Sequence, residues 1–302
     1  YWSDGGVTLY HGDVMAVLAA LPNESMHCVV TSPPFYGLRK YDCPPSIWGG
    51  SPDCDRRLEA SATICGAWRG WLGLEPTVAM YIEHTMMWLR AVRRVMRKDA
   101  VLFLDIDDSR GSTAAGNHPE RPSGFQQGRG QAAEVATVRM PKLRQILPAK
   151  NLMLIPQRIA IAAQEDGWIV RSEIIIPTWM PESAKDRPTD ACRKVLMLCK
   201  SPRYWYDAQA VKVPNNESWR NVNWHGIRYE VHRGSLDKER GSPDGLRNLG
   251  TVWDDMPPSS SAAPGKHFAT FPVEEALRAI AASCPAEVCR TCGKARVRIV
   301  KV

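Results

Sequence analysis

The chain has 302 residues, which is enough for one large domain or for a catalytic core with inserts. Apolar residues make up 44% and charged residues 24%, a globular balance that excludes wholesale disorder and fibrous repeats. No apolar run approaches the roughly 20 residues that cross a bilayer, and the net charge of +7 favours a polyanionic partner.

The amino terminus, the cysteines and the carboxyl terminus predict the compartment and the extent of the chain. Residues 1–6 lack the basic and then apolar pattern of a signal peptide, and nine cysteines are an odd number, so we expect a reducing, cytoplasmic compartment. The chain starts with Tyr1 and stops in an alternating stretch at residues 299–302 that is typical of a strand. We therefore expect a fragment whose remainder follows Val302.

The first elements predict a strand, a helix and a second strand. Residues 7–10 predict a short strand, Asp13 predicts the N-cap of a helix over 14–21, and residues 26–30 predict a strand that runs directly into a proline-rich loop. A strand followed by a rigid loop is typical of an α/β active site.

The apolar pattern further along continues the alternation. It predicts helices over 76–98 and 152–166, the second ended by Gly167, and strands over 100–106, 168–176 and 194–200. The sequence therefore predicts an α/β fold with a mostly parallel sheet.

Three regions interrupt these elements. Residues 43–75 form a turn-rich insert with several cysteines, and residues 109–150 hold seven Lys/Arg against two Glu, which indicates a functional or a disordered basic loop. In residues 214–263 aromatic and basic side chains are interleaved, which suits stacking on bases and neutralising phosphates, although a plain surface loop fits equally well. The candidate DNA-binding residues from the second and third regions are Arg139, Lys142, Arg144 and Arg228.

Residues 31–37, Thr-Ser-Pro-Pro-Phe-Tyr-Gly, are the most informative segment. Two consecutive prolines fix the backbone and remove two donors, so the carbonyls of Ser32 and Pro33 can be presented as acceptors. Accepting the hydrogens of a nucleobase amino group through a hydroxyl and a carbonyl would free its delocalised lone pair for attack. Phe35 or Tyr36 would stack on a base flipped out of the duplex. The alternative is a Pro-Pro turn after a buried strand.

Residues 31–37 resemble the Ser/Asp/Asn-Pro-Pro-aromatic catalytic motif of the DNA amino-methyltransferases. The chain is similar to the permuted class often found in phages and restriction–modification systems, in which the catalytic motif precedes the cofactor motifs. The further stretches that carry the resemblance are residues 9–13, 21–25, 37–41, 66–77, 180–187, 200–204 and 266–283.

The resemblance implies a permuted, Rossmann-like class I methyltransferase sheet with inserted zinc-like and target-recognition segments. It implies S-adenosylmethionine as cofactor and double-stranded DNA as substrate, with cytosine N4 favoured over adenine N6 by the serine of the motif. The catalytic residues that it implies are Ser32, Pro33, Pro34 and Phe35. Residues 266–272 and the helix after them are similar to the element that lines the methionine end of the cofactor. The implied cofactor-binding residues are Asp13, Thr31, His267, Phe271 and Pro272.

Departures from the family pattern leave other functions open. Residues 105–109 read Asp-Ile-Asp-Asp-Ser where relatives tend to read Leu-Gly-Asp-Ser, and residues 189–193 read Thr-Asp-Ala-Cys-Arg where Thr-x-x-His-Glu is expected. The glycine-rich Asp-Pro-Phe-x-Gly-x-Gly loop of the family does not occur before Val302. The alternatives are a catalytically inactive DNA-binding remnant, or a methyltransferase that acts on RNA or on a protein glutamine.

The cysteines divide into two groups. Cys289 and Cys292 form a CxxCG knuckle in which two thiolates can share one zinc ion, and the resemblance includes relatives that insert a zinc ribbon at this place. Cys28, Cys192 and Cys199 lie in or beside apolar runs and predict buried thiols.

The expected organisation has eight parts. They are 1–42 with the catalytic motif, the insert 43–75, core 76–108, the basic loop 109–150, core 151–213, the target-recognition region 214–263, the cofactor-pocket motif and helix 264–288, and the truncated start of a zinc-ribbon-like insert at 289–302.

Overall fold

The computed structural model describes residues 2–3, 6–37, 43–50, 66–111, 147–148, 150–178, 184–214, 245–257 and 272–295. In chain order its elements are β1 Trp2–Ser3, β2 Thr8–Leu9, α1 Val14–Ala20, β3 Met26–Thr31, β4 Ser46–Trp48, β5 Trp68–Gly70, α2 Val78–Val95, β6 Met96–Ile106, α3 Ile155–Glu165, β7 Ile169–Pro177, β8 Cys192–Cys199, β9 Val213–Pro214, β10 Leu246–Arg247 and α4 Val273–Ser283.

The main sheet has four strands in the order β3-β6-β8-β7. β3 and β6 are parallel, with Thr31 beside Leu104, whereas β8 is antiparallel to both of its neighbours. The α/β class is confirmed, but the prediction of a mostly parallel sheet is wrong for the described strands. Pro177 at the end of β7 pairs with Cys192 at the start of β8, so the chain returns beside the strand that it has just left and must pair antiparallel.

Side chains of β6 alternate between two cores, one on each face of the sheet. Leu102 and Leu104 lie in the core that α1, α2 and α3 cover. Val101 and Phe103 pack in a second cluster with Trp253 and with Ala279 of α4. Helices on both faces of the sheet therefore bury β6 from residue 100 onward, as its continuous apolar run indicates.

The helices begin where their capping residues predict. Asp13 is the N-cap of α1 and accepts hydrogen bonds from the backbone N–H groups of Met15 and Ala16. Thr77 caps α2 in the same way, so this helix starts two residues later than predicted. At the end of α3, Gly167 takes a φ of +84°, which confirms the predicted stop.

Smaller hairpins accompany the main sheet. β1 pairs with β2, β4 with β5, and β9 with β10, each antiparallel. The predicted strand at 7–10 is confirmed in the shorter form of β2, and the insert 43–75 contains the β4–β5 hairpin. Among the described helices, none combines the length and apolarity that crossing a bilayer requires.

Candidate active site

The catalytic loop, residues 32–37, leaves the sheet at the carboxyl end of β3. Ser32 is exposed, whereas Pro33, Pro34 and Phe35 are half-buried. Within the described ranges, the carbonyl oxygens of Ser32 and Pro33 accept no hydrogen bond. In the described part of the chain, both carbonyl oxygens are therefore available as acceptors, and the Pro33 carbonyl is one of the two groups predicted to receive an amino group.

Hydrogen bonds from α2 and from the segment after β6 hold the catalytic loop. The hydroxyl of Tyr81 donates to the carbonyl of Pro34 at 2.9 Å, and the hydroxyl of Ser109 donates to the carbonyl of Tyr36. Because these bonds come from two different elements, they fix the backbone on both sides of Phe35.

The two aromatic residues of the loop have different surroundings. The Tyr36 side chain is only 2% exposed and its ring lies 5.4 Å from that of Tyr81. Burial, with a smaller contribution from the charge of Glu75, raises the pKa of Tyr36 to about 12. Phe35 is half-buried against the core under α1–α3. Phe35 is therefore the better placed of the two predicted stacking residues, and it also contributes to packing, which a purely exposed loop would not do.

Acidic residues follow β6 next to the catalytic loop. Burial raises the pKa of Asp107, although the backbone N–H of Asp108 opposes this shift. One carboxylate oxygen of Asp108 accepts hydrogen bonds from the backbone N–H groups of Ser109 and Ile155. Its other oxygen is buried and has no partner among the residues that the structure describes.

A buried ion triad joins β6, β8 and α4 at the same end of the sheet. Arg193 donates to Asp105 and to Glu275, and these residues are 8%, 3% and 1% exposed respectively. Burial raises the pKa of Asp105 to about 7 and also raises that of Glu275, while Arg193 lowers both. One oxygen of each carboxylate remains buried without a partner in the described part of the chain.

The sequence pattern did not predict this triad. Asp105 and Arg193 stood out as separate departures from the family pattern, and the structure joins them in one ion pair. The sequence does show one charged residue inside each of two apolar strands, but this pattern does not indicate that the two residues bond each other. Glu275 carried no signal, because a glutamate in the first turn of a helix is common on a surface.

The triad also places the start of α4 near the catalytic loop. Thr31 pairs with Leu104, so Ser32 and Asp105 are the next residues on adjacent strands. Glu275 lies in the first turn of α4, and Ser283 at its end donates to the thiol of Cys28 in β3. α4 therefore runs antiparallel to β3, and the predicted cofactor residue Pro272, its buried N-cap residue, lies toward the catalytic end of the sheet.

The other predicted site residues are spread more widely. Thr31 ends β3 next to the catalytic loop and is half-buried. Asp13 uses one oxygen to cap α1 and accepts a hydrogen bond from Ser46 at 2.6 Å with the other, a structural use of both oxygens. The predicted residues outside the described ranges are His267, Phe271, Arg139, Lys142, Arg144 and Arg228.

The cysteine knuckle forms a tight turn that docks at the opposite end of β3. The N–H of Gly293 donates to the carbonyl of Cys289 at 2.8 Å, and a ring nitrogen of His27 lies 3.1 Å from the carbonyl of Gly293. Backbone N–H groups of Cys292 and Thr291 lower the pKa of the Cys289 thiol. Zinc takes four ligands, and the described residues contain no cluster of three or more ligating side chains, so zinc stays a prediction.

Comparison with known proteins defines the class. The model of the N6/N4 DNA methylase family matches residues 26–287, from β3 and the catalytic loop to the end of α4. The chain belongs to this family. The predicted resemblance to DNA amino-methyltransferases and the predicted enzyme class, a site-specific DNA methyltransferase, are confirmed.

Individual relatives are of the restriction–modification type. The chain is 32% identical over 271 residues to the Type II methyltransferase M.Cfr9I of Citrobacter freundii, covering 89% of this chain and 70% of that protein. It is 30% identical over 285 residues to M.SmaI of Serratia marcescens, covering 94% and 75%. Among solved structures, the cytosine-N4-specific PvuII DNA methyltransferase matches with a TM-score of 0.49 and 14% identity over 92% of this chain and 71% of that one.

Proposed function

We propose that this DNA methylase uses S-adenosylmethionine to methylate the exocyclic N4 of cytosine in double-stranded DNA. The observation that carries the proposal is the catalytic loop, in which an exposed Ser32 residue and two carbonyls that have no partner among the described residues follow β3. A serine at the first motif position favours cytosine, and adenine N6 is the alternative target.

The loop activates a weak nucleophile by hydrogen bonding. The lone pair of a nucleobase amino group is delocalised into the ring, so the nitrogen is planar and unreactive. The Ser32 hydroxyl oxygen and the Pro33 carbonyl would accept its two hydrogens and draw the nitrogen toward tetrahedral geometry. Once the nitrogen has bonded the methyl group, one of these hydrogens would leave as a proton to water, because Ser32 is exposed and its hydroxyl is too weak a base to keep the proton.

Catalysis then depends mainly on position. The bound cofactor would supply its methyl directly to the base nitrogen, so no covalent intermediate with the protein and no nucleophilic cysteine are needed. Holding the two reacting atoms in line can supply a large part of the rate enhancement. The hydrogen bonds to the loop from Tyr81 and Ser109 serve this purpose, because they keep the acceptor carbonyl from moving.

The acidic end of the sheet fits a cationic cofactor. When bound, S-adenosylmethionine supplies an electrophilic methyl group on a sulfonium, and it carries an ammonium as well. Buried carboxylate oxygens without partners in the described structure occur here on Asp105, Asp108 and Glu275. An excess of negative charge near Ser32 suits such a ligand better than an anionic one. Thr31, Pro272 and the residues before α4 would hold it.

The inactive-remnant alternative loses part of its support. Two of the departures that favoured it, at positions 105 and 193, bond each other, so they form one ion pair inside the fold. A methyltransferase for RNA or for a protein glutamine is not favoured by any feature of the described residues.

Methylation of DNA by the purified full-length protein tests the proposal. After incubation with S-adenosylmethionine and duplex DNA, mass spectrometry of the digested DNA should show N4-methylcytosine. Ser32→Ala should reduce methyl transfer and leave the affinity for the cofactor within about twofold, measured by calorimetry. Ser25→Ala, just before the other end of β3, is the matched control. N6-methyladenine would correct the target base, and full activity of Ser32→Ala would refute the assigned role.

A further inference from the structure

A buried acid and a buried histidine lie beneath the catalytic loop. Glu75 is fully buried and His84 is 3% exposed. A ring nitrogen of His84 lies 3.0 Å from one carboxylate oxygen of Glu75, and the backbone N–H of Gly73 donates to the other at 2.8 Å. Burying a carboxylate is unfavourable unless its oxygens are bonded, and here both oxygens are bonded. Apolar side chains could fill the same space without these bonds, so packing alone does not explain the Glu75–His84 pair.

Gly73 connects this carboxylate to the catalytic loop. Its carbonyl accepts a hydrogen bond from the N–H of Gly37 at 2.7 Å. Its φ is +90°, and a Cβ at this position would lie only 2.8 Å from the carbonyl oxygen of Phe35. The Gly73 peptide is thus pressed against the loop on one side and bonded to Glu75 on the other.

The histidine is held in turn by the insert. The rings of Trp48 in β4 and Trp68 in β5 stack on the His84 ring, with centroids 5.3 and 5.4 Å away and interplanar angles of 22° and 19°. The β4–β5 hairpin therefore contributes one aromatic ring from each of its strands. A continuous set of contacts leads from this hairpin through His84, Glu75 and Gly73 to the backbone of the catalytic loop.

We propose that Glu75 and His84 are positioning residues for methyl transfer. In the proposed role, these two residues contact neither the base nor the cofactor. They fix the Gly73 peptide, which sets the position of Phe35 and the carbonyl groups before it. The inference rests on the proposed function and deepens it, because it assigns the stem of the insert a role in placing the amine acceptors. A displacement of about 1 Å in such a loop can cost about 10²-fold in rate.

Two substitutions of Glu75 test the inference. Glu75→Gln has the same size and keeps one acceptor oxygen, so kcat should fall roughly tenfold, whereas Glu75→Leu removes both acceptors and should lower kcat by about 10²-fold. KM for DNA and Kd for S-adenosylmethionine should stay within about twofold in both. A purely structural role would not produce this graded loss in kcat alone.

Leu198→Ala is the matched control, because it truncates a fully buried residue of β8 that does not bond to the loop. At a temperature well below its Tm it should keep the wild-type kcat. The inference would be overturned if Glu75→Gln and Glu75→Leu kept the wild-type kcat. It would also be overturned if their loss in kcat were no larger than that of Leu198→Ala for the same decrease in Tm. If Glu75→Leu does not fold, Glu75→Gln alone decides. Absence of methyl transfer by the wild-type protein would instead refute the proposed function.

Discussion

Replacing Arg193 by methionine should destabilise the protein strongly, and more at high pH than at low pH. Methionine has a similar length but leaves Asp105 and Glu275 buried without their shared cation. Removing one partner of a buried ion pair typically costs about 3–5 kcal/mol. We expect the upper part of that range, since each carboxylate already has one buried oxygen without a partner in the described structure.

The pH dependence follows from the direction of the pKa shifts. Burial raises the pKa of Asp105 to about 7 in the folded protein, against about 3.9 in an unfolded chain. Between these values the folded state binds more protons than the unfolded state, so the free energy of unfolding falls as pH rises through this window, by up to about 1.4 kcal/mol per pH unit. Arg193 lowers the pKa of Asp105, so Arg193→Met should extend the fall to higher pH.

Urea unfolding followed by circular dichroism at pH 5, 6.5 and 8 measures both effects. Arg278→Met is the matched control, because Arg278, on the helix that carries Glu275, pairs with a half-exposed Asp255 and such a pair contributes about 0–1 kcal/mol. Adding Asp105→Asn to Arg193→Met should recover part of the loss and flatten the pH dependence. A destabilisation by Arg193→Met within about 1 kcal/mol of the control at pH 8 would show that the triad is not the buried, coupled group described here.

Three further predictions concern the loop, the DNA and the thiols. Phe35→Ala should lower methyl transfer, because it removes a stacking contact worth about 1–3 kcal/mol per base. It should also lower Tm, because the ring packs on the core. An unchanged Tm would contradict that packing. Neutralising the three basic candidates in residues 109–150 should weaken binding to all DNA sequences and flatten the salt dependence by roughly 0.9 per lost contact, whereas an unchanged slope would exclude phosphate contacts. Iodoacetamide at pH 8 should label Cys289, whose pKa is lowered, before Cys28, whose pKa burial raises to about 11; peptide mass spectrometry gives the order, and the reverse order would refute it.

Local patterns in the sequence predict much of this fold. The Asp13 cap, the strand that ends at Thr31, the apolar stripe of α2 and the stop at Gly167 are each encoded within a few neighbouring residues, and each is confirmed. The direction of β8 is not encoded in this way. A buried strand shows the same continuous apolar run in a parallel and in an antiparallel pair, so the prediction of a mostly parallel sheet had no local signal to correct it.

The candidate site, too, was predictable only where its residues are neighbours in the sequence. The catalytic loop is continuous in sequence, so residues 32–35 could be predicted as a unit and their neighbours could not. Glu75 and Gly73 lie about 40 residues from the loop that they support, and Arg193 bonds a carboxylate 88 residues away. Such contacts depend on how the elements pack, and a single sequence does not show which of its charged residues will meet in the interior.

The Asp105–Arg193 pair restricts the order in which this protein can change during evolution. Losing Arg193 alone leaves two buried carboxylates without a cation, at a cost of about 3–5 kcal/mol that is a large part of the stability of a typical domain, whereas losing Asp105 alone leaves Arg193 paired with Glu275. Position 105 is therefore expected to change first, for example to a neutral asparagine, and a loss of Arg193 is expected only together with a change that removes the charge of Glu275. An ancestral sequence with Arg193 and without Asp105 would still balance the buried cation through Glu275, on a third element, whereas one with Asp105 and without Arg193 would bury two carboxylates with no cation between them.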